Sequence, residues 1–387
     1  MRMAGTQVSG FVSPTEVSYG RGAVAAVGNI AARYSRDHLL LISDPGVVAA
    51  GLLDRVTDHL KAAGARWSLF ADIEANPSVE TVERAFAAYQ AADAEAILVV
   101  GGGSAMDVAK AVGVLATNGG KITDYEGGEL VRRPAAPIIG VPTTAGTASD
   151  VTIFCVITDR ARKFKFSCRS ANLAMRQAIM DPELTLSMPP ALTAAVGMDT
   201  LTHAIESYVS TLAYPLTESL SLGAIALVQQ HLERAVHDGG NIAARDGMLM
   251  ACWMAGLAFT QARLGNVHAM AHPLGGHFNV PHGVANAIIL PVVMDYNASA
   301  APAKYARIAE HMGHHSTGNG AVDAAAAVTL VRRLAERVGI PPSLSAVNVP
   351  RNGIPALATD AMQSGNIAIN PRPTTYEDIV RLFNQCM

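Results

Sequence analysis

The sequence predicts two halves of different class: an α/β N-terminal domain over residues 1–188 and an all-α C-terminal domain over residues 189–387. Three observations carry that expectation. Short β-rich runs alternate with helical stretches in the first half, strand signals almost vanish after MPPAL at 188–192, and the halves hold different polar motifs. The first has a glycine loop and the second a histidine cluster.

In the first half, HLLLIS (38–43) reads as a buried strand ended by Asp44-Pro-Gly. An amphipathic helix follows over 52–63, with Leu52, Leu53, Val56 and Leu60 on one face and Gly64 as its stop. WSLFA (67–71) is a second strand, and 78–92 a second helix with Ser78 as N-cap. EAILVV (95–100) runs into three glycines and a helix over 104–116, and 138–141, 151–158 and 177–180 supply further strands. Alternation of this kind implies right-handed βαβ units around a mostly parallel sheet. Beyond residue 188 the alanine- and leucine-rich segments 191–210, 216–237, 242–263, 285–297, 303–312, 322–338, 354–362 and 374–386 read as helices.

The 387 residues are half hydrophobic, enough for sizeable cores in two domains. A net charge of −3 offers no basic surplus, which argues against nucleic acid as a partner. Cys155, Cys168, Cys252 and Cys386 are scattered without a CxxC pair, a usage that suits a reducing cytoplasm. The N-terminal MRMAGTQVSG lacks a signal-peptide apolar region, and no run approaches the ~20 apolar residues of a membrane span. The expectation is a soluble cytoplasmic protein without a membrane or nucleic-acid partner.

The densest motif is GNVHAMAHPLGGHFNVPHG (265–283), which holds His268, His272, His277 and His282, four of the chain's twelve histidines. His268 and His272 are one helical turn apart, and Asp199 and His203 repeat that spacing upstream in GMDTLTHAIE (197–206). One carboxylate and several imidazoles make a ligand set for a divalent transition metal, against the alternative of hydrogen-bonded core histidines. In VVGGGSAMDVAK (99–110) a strand enters glycines 101–103 and Ser104 opens a helix, a place for a phosphate. Met106 breaks the strict GxGxxG spacing, and Ser104 with Asp107 equally fits a capping box. Asp44, at the end of the first long strand, is either a ribose-binding acid that favours NAD over NADP or part of an ordinary Asp-Pro-Gly turn. The loop PTTAGTASD (142–150) follows another strand end and can hydrogen-bond phosphates or simply turn.

Taken together and in this order, GGGS with its AMDVAK helix, PTTAGTAS, GMDTLTHAIE and HAMAHPLGGHFNVPHG resemble the iron-containing (group III) alcohol dehydrogenases, over essentially the whole chain. The resemblance implies a dehydroquinate synthase-like architecture, with a dinucleotide-binding first domain and a metal-binding, catalytic second domain. It implies that Asp199, His203, His268 and His282 hold a divalent metal, Fe2+ or Zn2+. His272 is then a catalytic residue near the nicotinamide that relays a proton, and His277 is left outside the site. On the NAD side it implies Asp44 and Asn76 at the adenosine, Gly103 and Ser104 at the pyrophosphate, and Thr143 and Thr144 in the second loop. Thr152, Phe154, Lys165 and Leu184 would line the nicotinamide path; Lys163, two residues from Lys165, points to the same side of a strand.

The implied reaction is NAD(H)-dependent interconversion of a small primary alcohol and its aldehyde, with the metal as Lewis acid on the substrate oxygen. Phe154 and Phe259 would wall an apolar substrate pocket; Asn366 reads first as a loop-capping residue and in the alternative as a polar contact to the substrate. A homodimer or larger homo-oligomer is implied as well. Alternatives are a maleylacetate reductase-like or glycerol dehydrogenase-like enzyme of the same superfamily, or, in another class, a metallohydrolase using the same ligands.

Overall fold

Apolar residues at every position of a run leave no face for water, and such runs become the central strands of a covered sheet. The computed structural model describes residues 9–35 and 37–387. Its first half contains, in chain order, β1 (Glu16–Tyr19), α1 (Val27–Ala31), β2 (Leu39–Ile42), α2 (Pro45–Ala49), α3 (Leu52–Ala62), β3 (Trp67–Phe70), α4 (Val79–Ala91), β4 (Ala96–Gly101) and α5 (Gly103–Asn118). There follow β5 (Gly127–Gly128), β6 (Ile138–Pro142), β7 (Phe154–Asp159), β8 (Phe164–Arg169) and β9 (Gln177–Met180).

Six strands form one parallel sheet in the order β1-β9-β6-β4-β2-β3. Alternate side chains serve two cores. Leu40, Ile42, Ile97 and Val99 pack with Val82, Ala85 and Val108 of α4 and α5. Leu39, Leu41, Leu98 and Val100 pack on the other face with Val27, Val56 and Leu60 of α1 and α3. The chain leaves β2 for the edge strand β3 and returns as β4 on β2's other side. The order therefore reverses between β2 and β4, where open α/β sheets bind their ligands at the carboxyl ends of the strands. Asp44 follows β2 there and the glycines follow β4.

Two expectations needed correcting. The run 151–158 enters strand geometry only at Phe154, and it joins a separate three-stranded sheet ordered β5-β8-β7, antiparallel to the unpredicted β8. The buried Lys110 ammonium takes the carbonyls of Thr152 (2.8 Å) and Phe154 (2.7 Å), so Thr152, ahead of the strand, gives its carbonyl to a side chain and not to a ladder. The Ser104–Asp107 capping box does not form. Gly102 is the N-cap of α5, with no side-chain capping bond. The Asp107 carboxylate instead accepts from Ser149 Oγ (2.6 Å) and Val156 N (3.0 Å), two donors brought by distant chain.

The second half contains α6 (Pro190–Val209), α7 (Pro215–His237), α8 (Ile242–Ala262), α9 (Asn266–Phe278), α10 (His282–Ala298), α11 (Pro302–His311), α12 (Gly320–Arg337), α13 (Ile354–Met362) and α14 (Tyr376–Gln385). Among the described residues α8 alone is long and apolar enough to cross a membrane; here it packs against α6 and α7 in the core. Helix α6 is the axis of this half, buried nearly throughout from Thr193 and touching α7, α8 and α10.

Candidate metal and nucleotide site

Helical periodicity puts Asp199, His203 and Glu206 of α6 at i, i+4 and i+7, so all three face the same way. Helix α9 brings His268 and His272, and His282 is the first residue of α10. The start of α10 can reach α6 because residue 283 is glycine: a Cβ there would lie 2.3 Å from the Ala195 carbonyl oxygen. One ligand atom each from Asp199, His203, His268 and His282 lies within 4.8 Å of all the others. Nε2 of His203, His268 and His282 stands 3.9, 3.8 and 3.7 Å from Asp199 Oδ1. Ligand atoms at bond lengths near 2.1 Å around a tetrahedral ion would be ~3.4 Å apart, so only a small inward closure separates this set from coordination.

Two residues without an expected role complete the cluster. The Glu206 carboxylate accepts from His268 Nδ1 at 2.5 Å and from Val267 N at 2.7 Å. With its proton on Nδ1, His268 turns the Nε2 lone pair toward Asp199. The Asn286 amide nitrogen donates to Asp199 Oδ1 (2.6 Å) and lies 3.1 and 3.2 Å from Nε2 of His268 and His282. Two amide protons therefore face three acceptors, and Asn286 Oδ1 is itself buried without a partner. Buried lone pairs outnumber donors, a deficit a divalent cation would remove, so the donor set fits one.

Burial pushes the His203 pKa down to about 4, and burial with neighbouring cationic groups holds His272 and His282 well below the ordinary histidine range. These imidazoles are neutral at physiological pH, the state that binds metal. Phe259 stacks on His203 with centroids 4.5 Å apart and faces Phe154 at 6.2 Å.

The cleft over these rings is lined by Asn76, Gly103, Ser104, Thr152, Phe154, Lys165, His203, His268, His272, His282 and Asn366, among others. It thus joins residues expected at the cofactor to those expected at the metal. Lys165, not Lys163, enters it: Lys163 occupies a turn at φ 53°, whereas Lys165 Nζ donates to Asn76 Oδ1 at 2.6 Å. Burial lowers the Lys165 pKa to about 8. Asn76 in turn donates to Asn279 Oδ1 (2.8 Å), linking the α/β half to the end of α9.

At the sheet's switch point, Asp44 Oδ1 accepts from Val47 N (3.0 Å) as the N-cap of α2. A Cβ on Gly101 would come 3.2 Å from Asp44 Oδ2, so the carboxylate stands against the glycine loop. The cap and the ribose reading are thus compatible. Thr143 is buried and takes the Gly101 carbonyl through its N–H, and Thr144 packs against Gly102. Leu184 is not brought to this loop surface; it is fully buried in the core beneath α1 and α3. His277 bonds Asp360 at 2.6 Å, away from the ligand set. Glu206 and Asn286 were legible only as further members of a helical spacing, three residues after His203 and four after His282.

A parallel sheet with a glycine loop at its switch point, opening onto a carboxylate–imidazole cluster on helices, is a site able to hold a nucleotide beside a divalent metal. Residues 14–182 match the family described as "Iron-containing alcohol dehydrogenase", and residues 193–387 match "Fe-containing alcohol dehydrogenase family, C-terminal". The chain belongs to the iron-containing alcohol dehydrogenase family.

It is 40% identical to the 1,3-propanediol dehydrogenase of Klebsiella pneumoniae over 378 residues, 97% of this chain and 98% of that one. It is 40% identical to the lactaldehyde reductase of Escherichia coli K12 over 95% of this chain and 96% of that one. With the NAD-dependent methanol dehydrogenase of Bacillus methanolicus it shares 35% identity over 97% and 99% of the two chains. Among solved structures, a 1,3-propanediol oxidoreductase superposes with TM-score 0.95 at 39% identity, covering 98% of this chain and all of that one.

Proposed function

We propose that this protein is an NAD(H)-dependent oxidoreductase that interconverts a small primary alcohol and its aldehyde. Residues 1–188 are taken as the dinucleotide-binding domain and 189–387 as the metal-binding, catalytic domain. The observation that carries the reading is the single cleft shared by the glycine loop (Gly103, Ser104) and the histidine cluster. A hydrolase would have no use for that loop. Asp199, His203, His268 and His282 would hold a divalent metal, Fe2+ first and Zn2+ as the alternative, which when bound acts as a Lewis acid on the substrate oxygen. The nicotinamide would supply or accept the hydride.

The protein's own groups do the remaining work. Glu206 keeps the His268 proton on Nδ1. Phe154 and Phe259 shed water from the reacting carbon and give an apolar wall to the substrate. His272, neutral and within the same cleft, offers a lone pair for the proton released from an alcohol. Asp44, Asn76, Gly103, Ser104, Thr143, Thr144, Thr152 and Lys165 would bind NAD along the line from the sheet's switch point to the metal ligands, with Leu184 supporting it from the core.

A cytoplasmic setting is supported by the four free thiols, two of which, Cys155 and Cys168, face each other across β7 and β8. A homodimer or larger homo-oligomer is supported by the exposed apolar pair Phe11 and Val12, just ahead of the sheet's edge strand β1. The test is NADH oxidation with a panel of short aldehydes after reconstitution with Fe2+, Zn2+ or no metal, beside the His268→Ala variant. Metal-dependent turnover that His268→Ala abolishes is expected. Absence of NADH binding, or equal turnover without metal, would overturn the proposal.

A further inference from the structure

Beyond the metal cluster, the largest unexplained group in the cleft is Arg263. It caps the end of α8 at φ 60° and ψ −168°, a backbone conformation that favours glycine and strains a residue with a side chain. Its side chain lines both the cleft described above and an adjoining cavity of ≈ 290 Å³, which also holds Arg169, Phe154, Lys165, His272 and Asn366.

The charges around it do not balance. The two carboxylates lining the second cavity are engaged elsewhere: Glu126 with Arg162 at 2.7 Å, and Asp360 with His277 at 2.6 Å. Arg169 has a long, partly exposed contact with Glu129 at 3.6 Å. Among the described residues no carboxylate pairs with Arg263 and its guanidinium makes no hydrogen bond. Burial, and after it the like charge of Arg169, disfavours the cation there. A half-buried fork of donors with no acceptor is an anion site in want of its anion.

His203, Phe259 and Arg263 line the same cleft, and the Phe259 ring is stacked on His203. A substrate whose reacting carbon lies by His203 and Phe259 would present the far end of a short chain to Arg263.

We propose that Arg263 is a specificity-determining residue that binds a terminal carboxylate, so that the substrate is a short ω-oxo acid and its ω-hydroxy acid. The inference rests on the alcohol–aldehyde reading above. It divides the substrate between an apolar wall at the reacting end and a bidentate guanidinium at the other.

The test compares 4-oxobutanoate with butanal, equal in chain length, using NADH and the metal-reconstituted enzyme. The expected kcat/KM ratio favours the carboxylate by tenfold or more. In Arg263→Ala the ratio falls to near one, chiefly through a raised KM for 4-oxobutanoate. Arg263→Lys, which keeps the charge without the fork, should give an intermediate ratio and serves if the alanine variant does not fold. Turnover of butanal with no preference for 4-oxobutanoate, or a ratio unchanged in both variants, overturns the anchor and leaves the dehydrogenase reading standing. No NADH oxidation with either aldehyde overturns both.

Discussion

Replacing Glu206 by glutamine tests whether the second layer of the site sets the state of the first. The carboxylate is 4% exposed and has two short acceptor contacts, one to His268 Nδ1 and one to Val267 N at the start of α9. Glutamine keeps the shape but offers only one acceptor. If its oxygen faces His268, its amide group meets the Val267 N–H, donor against donor. If its oxygen faces Val267, the amide donates to Nδ1, the proton of His268 moves to Nε2, and that nitrogen can no longer bind metal. Either outcome removes a charge-assisted hydrogen bond, about 1.5–3 kcal/mol. Loss of such a partner typically weakens metal binding about 10–100-fold, which is the same range of energy. We expect the Kd for Zn2+, measured by competition with a chromogenic chelator, to rise by that factor while the far-ultraviolet circular dichroism is unchanged. A Kd within twofold of the parent would refute the argument that Glu206 selects the His268 tautomer.

Three further outcomes are expected. Asp44→Asn keeps an acceptor for Val47 N but removes the charge, so the NADP/NAD ratio of kcat/KM should rise several-fold; an unchanged ratio would leave Asp44 with capping alone. Gly103→Ala would place a Cβ 2.6 Å from Thr147 Cγ2 and Oγ1, so the loop must shift; NADH affinity, read by fluorescence titration, should drop about tenfold or more, equivalent to ~1.4 kcal/mol. Asp150 is fully buried, and burial raises its pKa to about 6 from the ordinary 3.8. Its folded form holds the proton more tightly than the unfolded chain does, so its contribution falls as pH rises from about 4 to 6, by about 3 kcal/mol at most. Asp150→Asn should therefore gain on the parent between pH 4 and 6.5 in urea denaturation, and a pH-independent difference would contradict the shift.

The alternation of apolar runs and amphipathic helices was enough to place the strands of the parallel sheet from β2 onward and the helices beyond residue 188 other than α9, because burial on both faces or on one stripe is a local pattern. The same holds for Asp199 with His203 and for His268 with His272, whose spacing is a property of one helix. What local pattern could not show is which groups meet across helices. Glu206 became a partner of His268, and Asn286 a donor among three acceptors, only when α6, α9 and α10 packed together. Asp107 looked like a capping residue until the 149–156 segment delivered two donors to it, and Lys165 was separated from Lys163 by a turn at φ 53°. Arg263 is the clearest case. As a residue in a sequence it is one of many arginines; its meaning comes from carboxylates that are near it but already bound to other cations. Periodicity is written along the chain, and charge compensation is decided only by the neighbours that folding supplies.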